Sequence, residues 1–173
     1  MIQLIHKQNK FEERKFPIVL LLDNITGEAN IGSIFRLADA FNVEKIIFTG
    51  TPPNLQSNRL KKTARSTHQK VLIEINEDCF LVAETLKSQG YWLYALEITS
   101  DSVPIGDFDY QQDRPLCLIL GNEVSGIDEK LLKISDKGLH INMYGKNSSM
   151  NVAQAAGIAL YEITKTILAF NKK

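Results

Sequence analysis

Hydrophobic positions in this chain fall into short unbroken runs separated by stripes at helical spacing. The runs at 18–22 (IVLLL) and 116–120 (LCLIL) carry no polar residue, the pattern of a strand covered on both faces. Further strands are expected at 43–48, 71–75, 91–96 and 138–141. Between them, Ile31, Ile34, Phe35, Ala38 and Phe41 recur at helical spacing. Other helices are expected at 79–89, closed by Gly90 as its C-cap, at 127–132, capped by Ser125, and at 151–170. Residues 1–16 are mixed and basic, an irregular lead-in or an edge element. Strands alternating with helices predict an α/β fold, with a mostly parallel sheet and helices on both faces. The chain reads as one domain over 1–173, with no internal repeat and no linker.

The last helix has two apolar sides. Val152, Ala156, Ala159, Ile163, Ile167 and Phe170 form one stripe, and Ala153, Gly157, Leu160 and Leu168 form much of another. Such a helix needs two partners. The sheet is one, and a second copy of the chain is the economical choice for the other.

Three polar loops follow predicted strands, at 23–30, 121–125 and 142–150. Ligands of open parallel sheets lie beyond those strand ends. Gly121-Asn-Glu-Val-Ser-Gly126 has the outline of a nucleotide-binding turn, but Glu123 at its tip would repel a phosphate. Such a turn suits a cationic ligand without phosphates, S-adenosylmethionine among them, although a glycine turn capping a helix has the same look. Asn30 and Arg36 read either as an N-cap with a solvated arginine or as contacts to a phosphate or hydroxyl. The loop Asn142-Met-Tyr-Gly-Lys-Asn-Ser-Ser-Met150 is a solvated helix cap or a dense set of donors and acceptors. Arg59, Lys61, Lys62, Arg65 and Lys70, with no acidic residue among them, suit an RNA backbone or an ordinary charged surface.

Composition narrows the picture modestly. Twenty Lys and Arg balance twenty Asp and Glu, so nucleic-acid binding would need a local patch. Cys79, Cys117 and three scattered histidines have no metal-ligand spacing. No apolar run approaches the about 18 residues that span a membrane. A cytoplasmic protein without a metal is expected.

Taken in order, Asn30-Ile-Gly-Ser-Ile-Phe-Arg36, Leu120-Gly-Asn-Glu-Val-Ser-Gly126 and Ser149-Met-Asn-Val152 resemble the three motifs of the SpoU (TrmH-like) branch of the SPOUT RNA methyltransferases. The resemblance spans roughly residues 18–170. It implies S-adenosylmethionine-dependent methylation of a ribose 2′-hydroxyl in tRNA or rRNA. It also implies a deep C-terminal trefoil knot over roughly 96–170, which periodicity alone would not predict, and a homodimer through the last helix. Carried over by position, Arg36, Asn30, Glu123, Ser149 and Asn151 form the reaction centre. The cofactor would then lie against Leu96, Gly121, Asn122, Ile141, Met143, Ser149 and Met150, and RNA against Arg59, Lys61, Lys62 and Arg65. A guanidinium with a pKa above about 12 is a poor base, so Arg36 is read as stabilising the developing alkoxide. The chain departs from the family in having Ile141-Asn-Met143 where Ile-Pro-Met is common, and RNA is expected to be bound without a separate RNA-binding domain. Two other readings compete. One is a non-catalytic RNA-binding protein of the same fold. The other is a flavodoxin-like or Rossmann enzyme with a phosphate-bearing cofactor, against which Glu123 and the incomplete glycine fingerprint weigh.

Overall fold

The computed structural model describes residues 11–110 and 114–171. Most of the expected lead-in, residues 1–10, lies outside them. Among the described residues seven strands form one sheet, β1 (Ile18–Asp23), β2 (Lys45–Thr49), β3 (Ile73–Asn76), β4 (Trp92–Leu96), β5 (Val103–Pro104), β6 (Leu116–Leu120) and β7 (Lys137–His140). Their order is β3-β2-β1-β6-β4-β7-β5, with every pairing parallel. The helices are α1 (Glu28–Ala40), α2 (Asn58–Ala64), α3 (Cys79–Ser88), α4 (Glu129–Ile134) and α5 (Val152–Phe170).

The pleat sorts the apolar runs into two cores. Ile18, Leu20 and Leu22 of β1, with Leu116, Leu118 and Leu120 of β6, pack on the face covered by α1, α2 and α5. Val19, Leu21, Cys117 and Ile119 point the other way, toward Val82, Ala83 and Leu86 of α3 and Leu131 of α4. Two-residue alternation in a strand apolar throughout is what a double-sided sheet requires. The α1 stripe is buried as expected at Ile31, Ile34, Phe35 and Ala38, while Phe41 is only half-buried and forms the C-cap. Among the described residues no helix is long and apolar enough to cross a membrane, and no cluster of three or more His, Cys, Asp or Glu could hold a metal.

Several boundaries differ from the sequence reading, each for a local reason. The helix expected at 127–132 begins at Glu129, and its cap is Asp128, whose carboxylate accepts from Lys130 N. Ser125 does not cap it; its N–H is committed to the Asn122 side chain at 3.2 Å. Gln89 is the C-cap of α3, and Gly90 follows it in the left-handed region, at φ +93°. The basic stretch contains a helix the apolar pattern did not reveal. Ser57 caps α2 by accepting from Arg59 N and Leu60 N, and only Leu60 and Ala64 are buried. The two-residue β5 is too short to leave a periodic signal.

Register decides where the loops meet. Leu22 pairs with Leu120, and Leu96 pairs with both Leu120 and Leu139. Strands β1, β6, β4 and β7 therefore finish side by side, and their following loops crowd one edge. On the α1 face, Gly32 lets α2 lie against the first turns of α1. A Cβ there would stand 2.7 Å from Thr63 Cβ and 2.8 Å from the Leu60 carbonyl. Replacing an exposed helical glycine by alanine normally gains about 1 kcal/mol. Gly32→Ala should reverse that sign and cost about 1–3 kcal/mol through overpacking, read as a lower urea midpoint. A higher midpoint would mean that α2 is not held in this contact.

Candidate active site

The site is built from four strand ends. After β1, Gly27 is the N-cap residue of α1, and Asn30 lies in the first helical turn. The expectation that Asn30 caps this helix is therefore corrected: no side chain caps α1, and the Asn30 amide turns toward the neighbouring loops. After β6, Asn122 and Gly126 exchange backbone hydrogen bonds at 3.0 and 2.9 Å, closing a tight turn with Glu123 and Val124 exposed at its tip. The Asn122 side chain locks that turn. Its Oδ1 accepts from Val124 N and Ser125 N, and its Nδ2 donates to the Asn24 carbonyl at 2.7 Å, tying the turn to the loop after β1. Gly121 has no room for a side chain, since a Cβ would lie 2.5 Å from the Gly126 carbonyl carbon.

A chain of hydrogen bonds joins the three loops. At the start of α5, Asn151 Oδ1 accepts from Ala153 N and Gln154 N, so its Nδ2 is left to donate. It donates to Asn30 Oδ1 at 2.8 Å, and Asn30 Nδ2 donates to Glu123 Oε1 at 2.7 Å. Gly27 makes room for the last link: a Cβ there would meet Glu123 Oε1 at 2.5 Å and Asn30 Nδ2 at 3.0 Å. Three of the five residues expected at the reaction centre thus form one connected unit.

Beside this chain opens a crevice of about 380 Å³, within the range of small-molecule sites. Every residue expected to hold the cofactor lines it: Leu96, Gly121, Asn122, Ile141, Met143, Ser149 and Met150. Glu123 and Asn151 line it too. Sequence reasoning missed Glu97, directly after β4, which also faces the crevice. No local signal could have found it; only the alignment of β4 with β6 and β7 brings it there. The crevice lining carries two carboxylates, Glu97 and Glu123, and no Lys or Arg. The rest of its lining is apolar or polar without formal charge, apart from His140, whose Nδ1 lies 2.9 Å from Ser102 Oγ. That donor set suits a planar base and a cationic centre, and it opposes phosphate.

Arg36 stands next door. It is exposed on α1 and lines an open groove between α1 and α5 with Ser33, Leu37, Gln154 and Tyr161. Met150 and Asn151 line both cavities, so they form the wall between them. The Arg36 guanidinium has no hydrogen-bond or ion-pair partner among the described residues, and it is the only charged group of the groove lining. Arg59 and Lys62 are exposed on α2 and Arg65 at its C-cap, beside the first turns of α1, whereas Lys61 is half-buried and donates to Gln56. Behind the glycine turn, Asp23 accepts from Asp128 N at 3.0 Å, and burial first, then the Asp128 charge, raises its carboxyl. Burial pushes the Cys79 thiol up to about 12 and the Cys117 thiol higher still. Both remain protonated near neutrality, so neither serves as a nucleophile.

The geometry agrees with what comparison with known proteins shows. The SpoU rRNA Methylase family matches residues 17–161. A tRNA (guanosine(18)-2′-O)-methyltransferase of Aquifex aeolicus is 29% identical over 151 residues, covering 87% of this chain and 70% of that protein. A 23S rRNA (guanosine(2553)-2′-O)-methyltransferase of Bacillus subtilis is 27% identical over 145 residues, covering 84% of this chain and 57% of that one. Among solved structures, the A. aeolicus TrmH/SpoU tRNA modifying enzyme superposes with a TM-score of 0.81 at 28% identity, over 92% of this chain and 80% of that chain. An AdoMet-bound rRNA methyltransferase from Sinorhizobium meliloti gives 0.78 at 25%, over 86% and 56%. With the three loops, the crevice and these likenesses in agreement, the chain belongs to the SpoU rRNA methylase family.

Proposed function

We infer that this chain transfers a methyl group from S-adenosylmethionine to a ribose 2′-hydroxyl in tRNA or rRNA. The observation that carries the reading is the bonded unit Asn151–Asn30–Glu123 beside a crevice with two carboxylates and no Lys or Arg. When bound, S-adenosylmethionine supplies an electrophilic methyl on a positively charged sulfur. Leu96, Ile141, Met143 and Met150 offer apolar contact for its adenine, while Gly121, Asn122 and Ser149 offer backbone and side-chain polar groups. Glu123, at the tip of the glycine turn, favours its positive charge.

Asn30 and Asn151 hold Glu123 and present a fixed pattern of donors where the ribose would enter. Arg36, without a partner among the described residues, grips a phosphate of the target strand and stabilises the alkoxide that develops on the attacking oxygen. The basic face of α2 extends that anion-binding surface through Arg59, Lys61, Lys62 and Arg65, adding phosphate contacts without reading sequence.

The finer features of the family belong to the same proposal. The whole chain is read as one SpoU-type unit acting in the cytoplasm, as expected for relatives that modify bacterial RNA. A threaded C-terminal half is supported by the strand order, in which β6 enters between β1 and β4 before the chain crosses back to lay α5 against α1. A second copy covers the apolar end of the α1–α5 groove, around Phe41, Ile158 and Tyr161, and leaves the Arg36 end open to the RNA. The groove's volume of about 990 Å³ and the exposure of Ile158 (40%) and Tyr161 (59%) support this. The two helices run side by side from the Asn30–Asn151 contact to Leu37 opposite Gly157. The apolar end near Phe41 and Tyr161 is the part a partner would bury.

The decisive test is mass spectrometry of tRNA and rRNA nucleosides from cells with and without the gene. One missing 2′-O-methyl is expected, and an unchanged profile together with no calorimetric binding of S-adenosylhomocysteine would refute the reading. Arg36→Ala should lower methyl transfer by about 100-fold or more and leave S-adenosylhomocysteine affinity unchanged. Normal turnover by this variant would remove Arg36 from the mechanism. Asn151→Asp keeps an α5 cap but cannot donate to Asn30. Its melting temperature should stay close to wild type while turnover drops about 100-fold through misplacement; equal activity would make the amide chain incidental. Tyr161→Glu should convert a sedimenting dimer to monomer, and a wild-type chain that sediments as a monomer would defeat the dimer.

A further inference from the structure

Glu97 is the crevice residue that the reaction as described leaves without a specific partner. It directly follows β4, whose last residue Leu96 pairs with Leu120 and Leu139, so its carboxylate enters the crevice between the ends of β6 and β7. It is half-buried, and it has no salt bridge among the described residues. Its oxygens accept two backbone N–H groups. Oε1 takes Ile98 N at 3.0 Å, and Oε2 takes Ile127 N at a long 3.4 Å. A carboxylate has about four acceptor positions, so roughly half its capacity remains open. Taking a carboxylate partly out of water with so few donors is costly unless something else donates to it.

The surrounding chain keeps the approach to that carboxylate clear. Gly126 adopts φ +70°, and a Cβ there would stand 2.7 Å from Glu97 Oε2. The two acids of the crevice serve different ends of the glycine turn. Glu123 is at the tip and is engaged by Asn30, on the side that adjoins the Arg36 groove. Glu97 lies beneath Gly126 and Ile127, on the β4 side, among apolar Leu96 and Ile141. The first position belongs with the reacting centre, and the second with the nucleoside part of the ligand. A carboxylate with unused acceptor sites, next to apolar walls that accept a base, is matched by two neighbouring hydroxyl donors.

We propose that Glu97 is a cofactor-binding carboxylate that accepts hydrogen bonds from the vicinal hydroxyls of the cofactor ribose. The proposal rests on the S-adenosylmethionine reading of the crevice and names the part of the ligand this chain selects. It makes the crevice specific for a ribonucleoside over its deoxy counterpart, independently of the amino-acid tail.

Calorimetry on the whole chain tests it with three probes: S-adenosylhomocysteine, 5′-methylthioadenosine, and the 2′,3′-dideoxy form of S-adenosylhomocysteine. Hydrogen bonds to a charged group set the scale, so Glu97→Gln should weaken the first two by roughly 10- to 100-fold alike. The dideoxy probe should bind wild type and variant equally. Equal weakening of all three probes would reduce Glu97 to a support for the turn, and a loss for S-adenosylhomocysteine alone would assign it to the ammonium group. Should the variant fail to fold, the wild type decides by itself: equal affinity for the ribo and dideoxy probes overturns the proposal. A wild-type chain that binds none of the three removes the cofactor reading and this proposal together, whereas diol-independent binding removes only the latter.

Discussion

The donors at the start of α5 set the polarity of the whole site. Ala153 N and Gln154 N can only donate, so the Asn151 side chain must turn its oxygen to them and its amide nitrogen outward. Asn30 must then receive with its oxygen and donate with its nitrogen, and the series has to end on a group that only accepts. Glu123 is that group. One free end of a helix thereby orients three side chains that lie 93 and 121 positions apart in sequence. Reversing any one amide would set two donors or two acceptors against each other, at the cost of an unpaired polar group.

That arrangement depends on strands ending in line, and the sheet provides this without special sequence. Parallel register aligns Leu22, Leu120, Leu96 and Leu139 across four neighbouring strands. Their loops then have no direction left but one shared edge. Glycine does the fine adjustment at two places. Gly27 admits the Glu123–Asn30 pair, and Gly121 lets the Asn122–Gly126 turn fold back on its own strand. The hydrophobic cores fix the frame, and the polar loops inherit their meeting point from it.

Legibility in the sequence followed the same division. Strand β6 and the buried stripe of α1 were readable because apolar runs and helical spacing are repeated signals. The three candidate loops were readable because each follows such a run. What escaped was anything decided by a single contact. Asn30 has the composition of a cap, yet its amide is drawn across the chain by Asn151 and Glu123. Ser125 has the composition of a cap as well, but Asn122 claims its N–H and Asp128 caps α4 instead. Helix α2 buries only Leu60 and Ala64 and so leaves almost no stripe. Glu97 had no local signature at all, since its place in the crevice comes from β4 lying between β6 and β7.

The chain is electrically neutral overall, yet its two cavities have opposite preferences. Among the described residues, the crevice is lined by two carboxylates and no Lys or Arg, while the groove beside it is lined by Arg36 and no carboxylate. Only Met150 and Asn151 separate them. A positively charged methyl donor and a negatively charged RNA strand would each be repelled by the other's site, so neither competes for the wrong cavity. The local fields decide this sorting, because net charge sets no long-range pull on either ligand. The dividing wall is also where the hydrogen-bond chain begins. The residue that orients the polar unit is therefore also part of the wall between the two cavities, and on the proposed mechanism donor and acceptor would meet across it.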